Sequence, residues 1–181
     1  MRHTGKFFNN NNCCKHYFYM LLGTASAALV ALLFVAASIG ASFLTPERSV
    51  ATRTFMSPVV FHFSTLLLIS LIAMVPSHTA LSLALGITLV AVAGLGYTTV
   101  VLVGLARASI SDVADRLGYG IFPLASYVAM LAAAGLVMAR GTLAADILAA
   151  AVLLLLAVNI RNAWDLMLAF ARQTASKRSD T

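Results

Sequence analysis

Few residues in this 181-residue sequence can do chemistry, and those that can stand in apolar surroundings. His62 lies between Phe61 and Phe63 and is followed by Ser64 and Thr65. An imidazole titrates near neutral pH and can relay protons or bind a ligand, and a neutral ring can equally tie two helices together through one donor and one acceptor. Asp146 interrupts the apolar stretch from Leu143 to Ile160. A carboxylate there can couple to an ion, or can lie in a first helical turn where the macrodipole stabilises it, with Thr142 as N-cap and Arg140 within reach. Asn159, Asn162 and Asp165 follow one another at spacings of three, which makes them neighbours on a helix, and Arg161 and Asp165 are placed to pair at i, i+4.

Other chemistry is missing from the sequence. There is no HExxH pair, glycine-rich phosphate loop, CxxC or GxSxG. Six acidic residues offer no evident carboxylate pair for acid and base work. Cys13 and Cys14 are adjacent, a poor geometry for a mutual disulfide, and with His3 and His16 they match no zinc spacing. The expectation is a non-enzymatic protein with no catalytic residues, no metal and no cofactor.

The elements that hold these residues follow from where the charges lie. Charged residues are 10% of the chain against about 25% in soluble domains, so this sequence cannot coat a soluble globule. Between Lys15 and Glu47 lie 31 uncharged residues, between Arg53 and Arg107 lie 53, and between Arg116 and Arg140 lie 23. Crossing a bilayer takes roughly 20 residues. The run of 53 divides at Pro76-Ser77-His78 into a hairpin, and a further span follows Arg140-Gly141-Thr142. Helices are predicted near 18–44, 58–75, 79–106, 119–139 and 143–171. The fold class is therefore all-α: an integral membrane bundle of five transmembrane helices, or four if the first were removed as a signal peptide. The first apolar run, Tyr17 to Leu44, is far longer than the roughly 7–15 residues of a signal core, so it reads as a retained span. Residues 1–17 read as a polar, disordered extension, 18–172 as the membrane domain and 173–181 as a disordered tail. A short interfacial helix is expected from Ser109, with Ile110, Val113 and Leu117 on one face. Gly86, Gly94, Gly96 and Gly104 in the third span read as close helix packing, with a broken helix lining a pathway as the alternative.

Five spans put the termini on opposite sides. One face then holds eight Lys and Arg and the other four, which favours a cytoplasmic C-terminus, with Trp164 at the interface. The net charge of +6 is spread over helix ends, which suits anionic lipid headgroups and not nucleic acid. His62 and Asp146 enter from opposite faces, about 15 Å apart in depth. His62 can instead meet the far end of the last span, so a polar cluster of His62, Asn159, Asn162 and Asp165 is expected near the cytoplasmic surface, with Asp146 as a separate ion-coupling candidate.

Two stretches, Arg53-Thr54-Phe55-Met56-Ser57-Pro58-Val59-Val60-Phe61-His62-Phe63 and Ile160-Arg161-Asn162-Ala163-Trp164-Asp165-Leu166, resemble segments of small uncharacterised bacterial multi-pass membrane proteins. The resemblance implies a bacterial inner membrane and no particular activity. The expected role is an accessory or interaction subunit of a membrane assembly, with the lipid bilayer and a protein partner or second copy as its contacts. The alternative is a small oligomeric channel or transporter lined by His62 and the Asn159, Asn162, Asp165 stripe, or by Asp146.

Overall fold

The computed structural model describes residues 5–41, 46–75, 79–107 and 116–179. Helix α1 runs over Gly5–Ala41, α2 over Pro46–Met74, α3 over Ala80–Arg107, α4 over Phe122–Met138 and α5 over Ala144–Ser179; a π-helical turn, Leu117–Ile121, leads into α4. Among the described residues, five stretches are long and apolar enough to cross a membrane: His16–Val35, Ser57–Met74, Ala80–Arg107, Leu117–Met138 and Ala144–Leu168, with mean hydropathy between 1.9 and 2.2. The expected all-helical fold with five such helices is what the structure contains.

Each helix buries one stripe and leaves the rest apolar. On α2 the buried residues include Val59, His62, Phe63, Thr65, Leu66, Ile69 and Ser70; on α5 they include Leu148, Ala151, Val152, Leu155, Asn159, Asn162 and Leu166. Both sets follow the three- and four-residue spacing of a helix face. The outward face of α3 carries Leu85, Leu89 and Val100, exposed by 53%, 71% and 72%. A soluble helix would be polar there, whereas hydrocarbon is the fitting solvent for such a surface.

The chain packs as antiparallel neighbours. Extensive interfaces join α1 to α2, α3 to α4 and α4 to α5; α2 also touches α3 and α5, and α1 barely reaches α5. The core is thus built by α2 to α5, with α1 laid against α2 from outside.

Three boundaries differ from the sequence expectation. Helix α1 begins at Gly5 and α5 ends at Ser179, so helix runs through most of both segments expected to be disordered, 1–17 and 173–181. Helical hydrogen bonds continue past the apolar span because the polar Asn9 to Asn12 run and the Gln173 to Lys177 run contain no proline to stop them. Helix α2 begins at Pro46 and not near residue 58, and Pro58 lies inside it. Pro46 supplies the pre-set φ of a first helical position, and a proline within an apolar helix is tolerated where neighbouring groups satisfy the freed carbonyl. The expected hairpin turn at 76–78 and most of the expected interfacial helix (108–115), together with residues 1–4 and 180–181, lie outside the described residues.

Candidate polar site between α2, α4 and α5

His62 is buried on α2, and its Nδ1 lies 2.8 Å from the hydroxyl of Tyr127 on α4. The hydroxyl of Thr65, one turn further along α2, donates to the Phe61 carbonyl at 3.0 Å and lies 3.4 Å from the Tyr127 oxygen. Tyr127 has one proton to give. It goes to Thr65 Oγ1, whose own proton is committed to Phe61, so the Tyr127 oxygen is left to accept from an N–H on His62 Nδ1 at 2.8 Å.

Tyr127 reaches His62 because of Gly94. A side chain at residue 94 would meet the Tyr127 ring, so only a glycine on α3 allows the ring to lie against the α3 backbone. The same corner holds Tyr97 of α3, stacked on Phe61 at 4.1 Å and edge-on to His62 at 6.2 Å; its hydroxyl donates to Ser57 Oγ at 2.9 Å. Tyrosine buries a large ring only where its hydroxyl finds a partner, and both tyrosines find theirs on α2.

Asn159 and Asn162, both fully buried on α5, diverge to different elements. Asn159 Nδ2 donates to the Val59 carbonyl at 2.9 Å, one turn before His62 on α2. Asn162 Nδ2 donates to the Gly118 carbonyl at 2.9 Å, and Tyr119 Oη donates to the Asn162 carbonyl at 3.2 Å. Asn162 therefore serves the π-helical turn. That turn arises at Pro123, the second residue of α4, which has no N–H and whose ring crowds the carbonyl four residues earlier. The Phe122 N–H bonds to Leu117, five residues back. Gly118 is consequently left without a helical donor, since Phe122 is engaged and Pro123 has none, and Asn162 supplies one.

Of the expected cluster, the structure brings His62 and Asn159 to the same stretch of α2 and carries Asn162 to the neighbouring turn. Asp165 is not brought in: it is exposed, in a 3.9 Å contact with the exposed Arg161. Residues three apart drift by about 60° per step on a helix of 3.6 residues per turn, so the third member of the stripe has rotated off the buried face. Asp146 is exposed in the first turn of α5, at the other end of the bundle, and makes no ion pair within 4.0 Å among the described residues. The expected Arg140 partnership is therefore absent, and Thr142 lies one position too early to cap a helix that starts at Ala144.

Tyr127 and Tyr97 escaped the sequence reading, which weighed ionisable residues in the spans and not hydroxyls, whereas the close packing expected at Gly94 is its contact with the Tyr127 ring. The signal was available: Tyr127 is a costly polar group in an alanine-rich helix. Three buried polar atoms have no hydrogen-bond partner among the described residues: His62 Nε2, Asn159 Oδ1 and Thr98 Oγ1. No group of three or more His, Cys, Asp or Glu side chains converges as a metal site among the described residues.

No known protein family, curated protein or solved structure matches this chain.

Proposed function

We propose that this chain is a non-enzymatic accessory or interaction subunit of a membrane assembly in a bacterial inner membrane, with its C-terminus on the cytoplasmic side. The observation that supports this reading is the outward face of α3. Gly94 is filled by Tyr127, but Gly96 and Gly104 are exposed, with no atom within 4 Å of where a side chain would begin. Glycine weakens a helix by about 0.8–1.0 kcal/mol relative to alanine, and lipid gains nothing from it. A transmembrane helix of a partner does gain, because small residues let two backbones approach closely.

Purification in mild detergent should retrieve a stoichiometric helical membrane partner or a defined homo-oligomer. Gly96→Leu with Gly104→Leu should release it while the subunit keeps its own stability to within about 0.5 kcal/mol, as an exposed change should. A monomer under every mild condition, or undiminished retention of the partner by the double variant, refutes the reading.

A second reading rests on the unpartnered His62 Nε2, Asn159 Oδ1 and Thr98 Oγ1. Buried polar atoms are nearly always paired, and a small oligomeric channel or transporter would use such atoms to pass protons or a polar solute. His62→Ala should then abolish a flux in reconstituted vesicles, and Asp146→Asn should leave it intact. Unchanged flux in His62→Ala excludes this reading.

A further inference from the structure

At the end of the bundle away from His62 lies a cavity of about 830 Å³, bounded by the start of the α1 span, the ends of α2 and α4, and the turn into α5. Met74, Leu83, Val137 and Leu148 line it as buried or half-buried apolar surface, and the exposed Arg140 and His16 stand at its edge. Its size lies within the roughly 300–1,000 Å³ of small-molecule sites.

Arg140 occupies an unusual backbone position. The end of α4 is closed by Gly141 N–H to the Leu136 carbonyl at 2.8 Å and Arg140 N–H to the Val137 carbonyl at 3.2 Å. That pair of bonds is the Schellman closure, whose left-handed residue is ordinarily glycine. Here it is Arg140, with φ of 53°, the one non-glycine residue with positive φ among the described residues. Gly141 stands one position too late to fill the role. The arrangement spends backbone strain to set a guanidinium at the cavity edge, where no carboxylate pairs with it within 4.0 Å among the described residues. The first turn of α5, the positive end of its dipole, also borders the cavity through Ala144 and Ala145, whereas Asp146 is not part of its lining.

We propose that this cavity binds the anionic head of a membrane phospholipid, with the phosphate on Arg140 and His16 and the upper acyl chain against Met74, Leu83 and Leu148. Arginine grips phosphate with two parallel hydrogen bonds, which a single point charge does not. The apolar lining selects a lipid over a free anion. The depth agrees, because α2 ends at Met74 and α3 begins at Ala80, where headgroups meet the hydrocarbon.

The test uses the full chain in neutral detergent, with phosphatidylglycerol, phosphatidylcholine or inorganic phosphate added in turn, read by native mass spectrometry and thermal unfolding. Phosphatidylglycerol should be retained about tenfold more tightly than phosphatidylcholine, and inorganic phosphate should give no stabilisation. Arg140→Gly should unfold at the same or a higher temperature without lipid, since the left-handed position is relieved, yet lose about tenfold in phosphatidylglycerol affinity. Arg140→Gln keeps the backbone strain and loses the charge, and should bind as weakly. Equal binding of the two lipids, or undiminished phosphatidylglycerol binding in both variants, overturns the proposal. A response to phosphate equal to that of the lipid overturns it in favour of a soluble anion.

Discussion

Replacing Gly94 by alanine adds one methyl at the point where α3 meets Tyr127, and its consequences run through the polar site. The new Cβ would lie inside the van der Waals envelope of the Tyr127 ring, against Cε1, Cζ and Cδ1. These atoms belong to a rigid, fully buried ring that cannot swing aside as the tip of a flexible chain can. Overpacking of this kind costs about 1–3 kcal/mol. Moving the ring also stretches the 2.8 Å contact to His62 Nδ1, and a hydrogen bond between helices in a membrane is worth about 0.6–1.7 kcal/mol. Against these stands a gain of about 0.8–1.0 kcal/mol from the better helix former. The net expectation is a loss of about 2 kcal/mol, measured by titrating the folded protein with a denaturing detergent in mixed micelles. The cycle with Tyr127→Ala isolates the cause. Once the ring is gone, Gly94→Ala should cost nothing or stabilise, so the two changes should couple by more than about 1 kcal/mol. Wild-type stability in Gly94→Ala, or additivity of the pair, would falsify the placement of the Tyr127 ring against α3.

Two smaller changes probe the same network and its edge. Tyr127→Phe keeps the ring in place and removes the hydroxyl that joins His62 to Thr65; it should cost about 0.6–1.7 kcal/mol in the same titration, and equal stability would mean that the hydroxyl does not hold α4 to α2. Asp165→Asn should change stability by less than about 0.5 kcal/mol, because the Arg161 contact is 3.9 Å long between side chains that are 62% and 53% exposed; a larger loss would mean that Asp165 belongs to the buried cluster after all.

The five long apolar helices were legible because charge placement alone marks them: an uncharged run of 53 residues broken at a proline divides naturally into two helices. What the sequence did not disclose depends on rotation and on partners. Gly94 and Gly96 are two residues apart on α3, yet one is filled by Tyr127 and the other faces outward. A spacing of two turns a helix by about 200°, and only the position of α4 decides which of them lies inside. Asn159, Asn162 and Asp165 read as a single stripe, but the drift that removes Asp165 was calculable from the helix repeat alone. The backbone state of Arg140 was hidden more deeply, because Arg-Gly suggests that glycine takes the left-handed position and the hydrogen bonds of the turn give it to the arginine.

The two buried asparagines look equivalent in sequence and should respond differently to removal. Asn159 donates to the Val59 carbonyl, which lies inside α2 where the Phe63 N–H is in register to serve it as well. Asn159→Leu, close in volume, should therefore cost less than about 1 kcal/mol. Asn162 donates to Gly118, whose carbonyl has lost its helical donors to the π turn and to Pro123. Asn162→Leu strands that carbonyl in a buried site, at about 1–3 kcal/mol. If the proline is the reason, Pro123→Ala restores an N–H at the position that the turn lacks and should reduce the cost of Asn162→Leu by about 1 kcal/mol. The measurement is a four-protein cycle in mixed micelles. Strict additivity there, or equal costs for the two asparagines, would mean that Asn162 does not complete the backbone at the π turn, and its bond to Gly118 would then be an ordinary contact between helices.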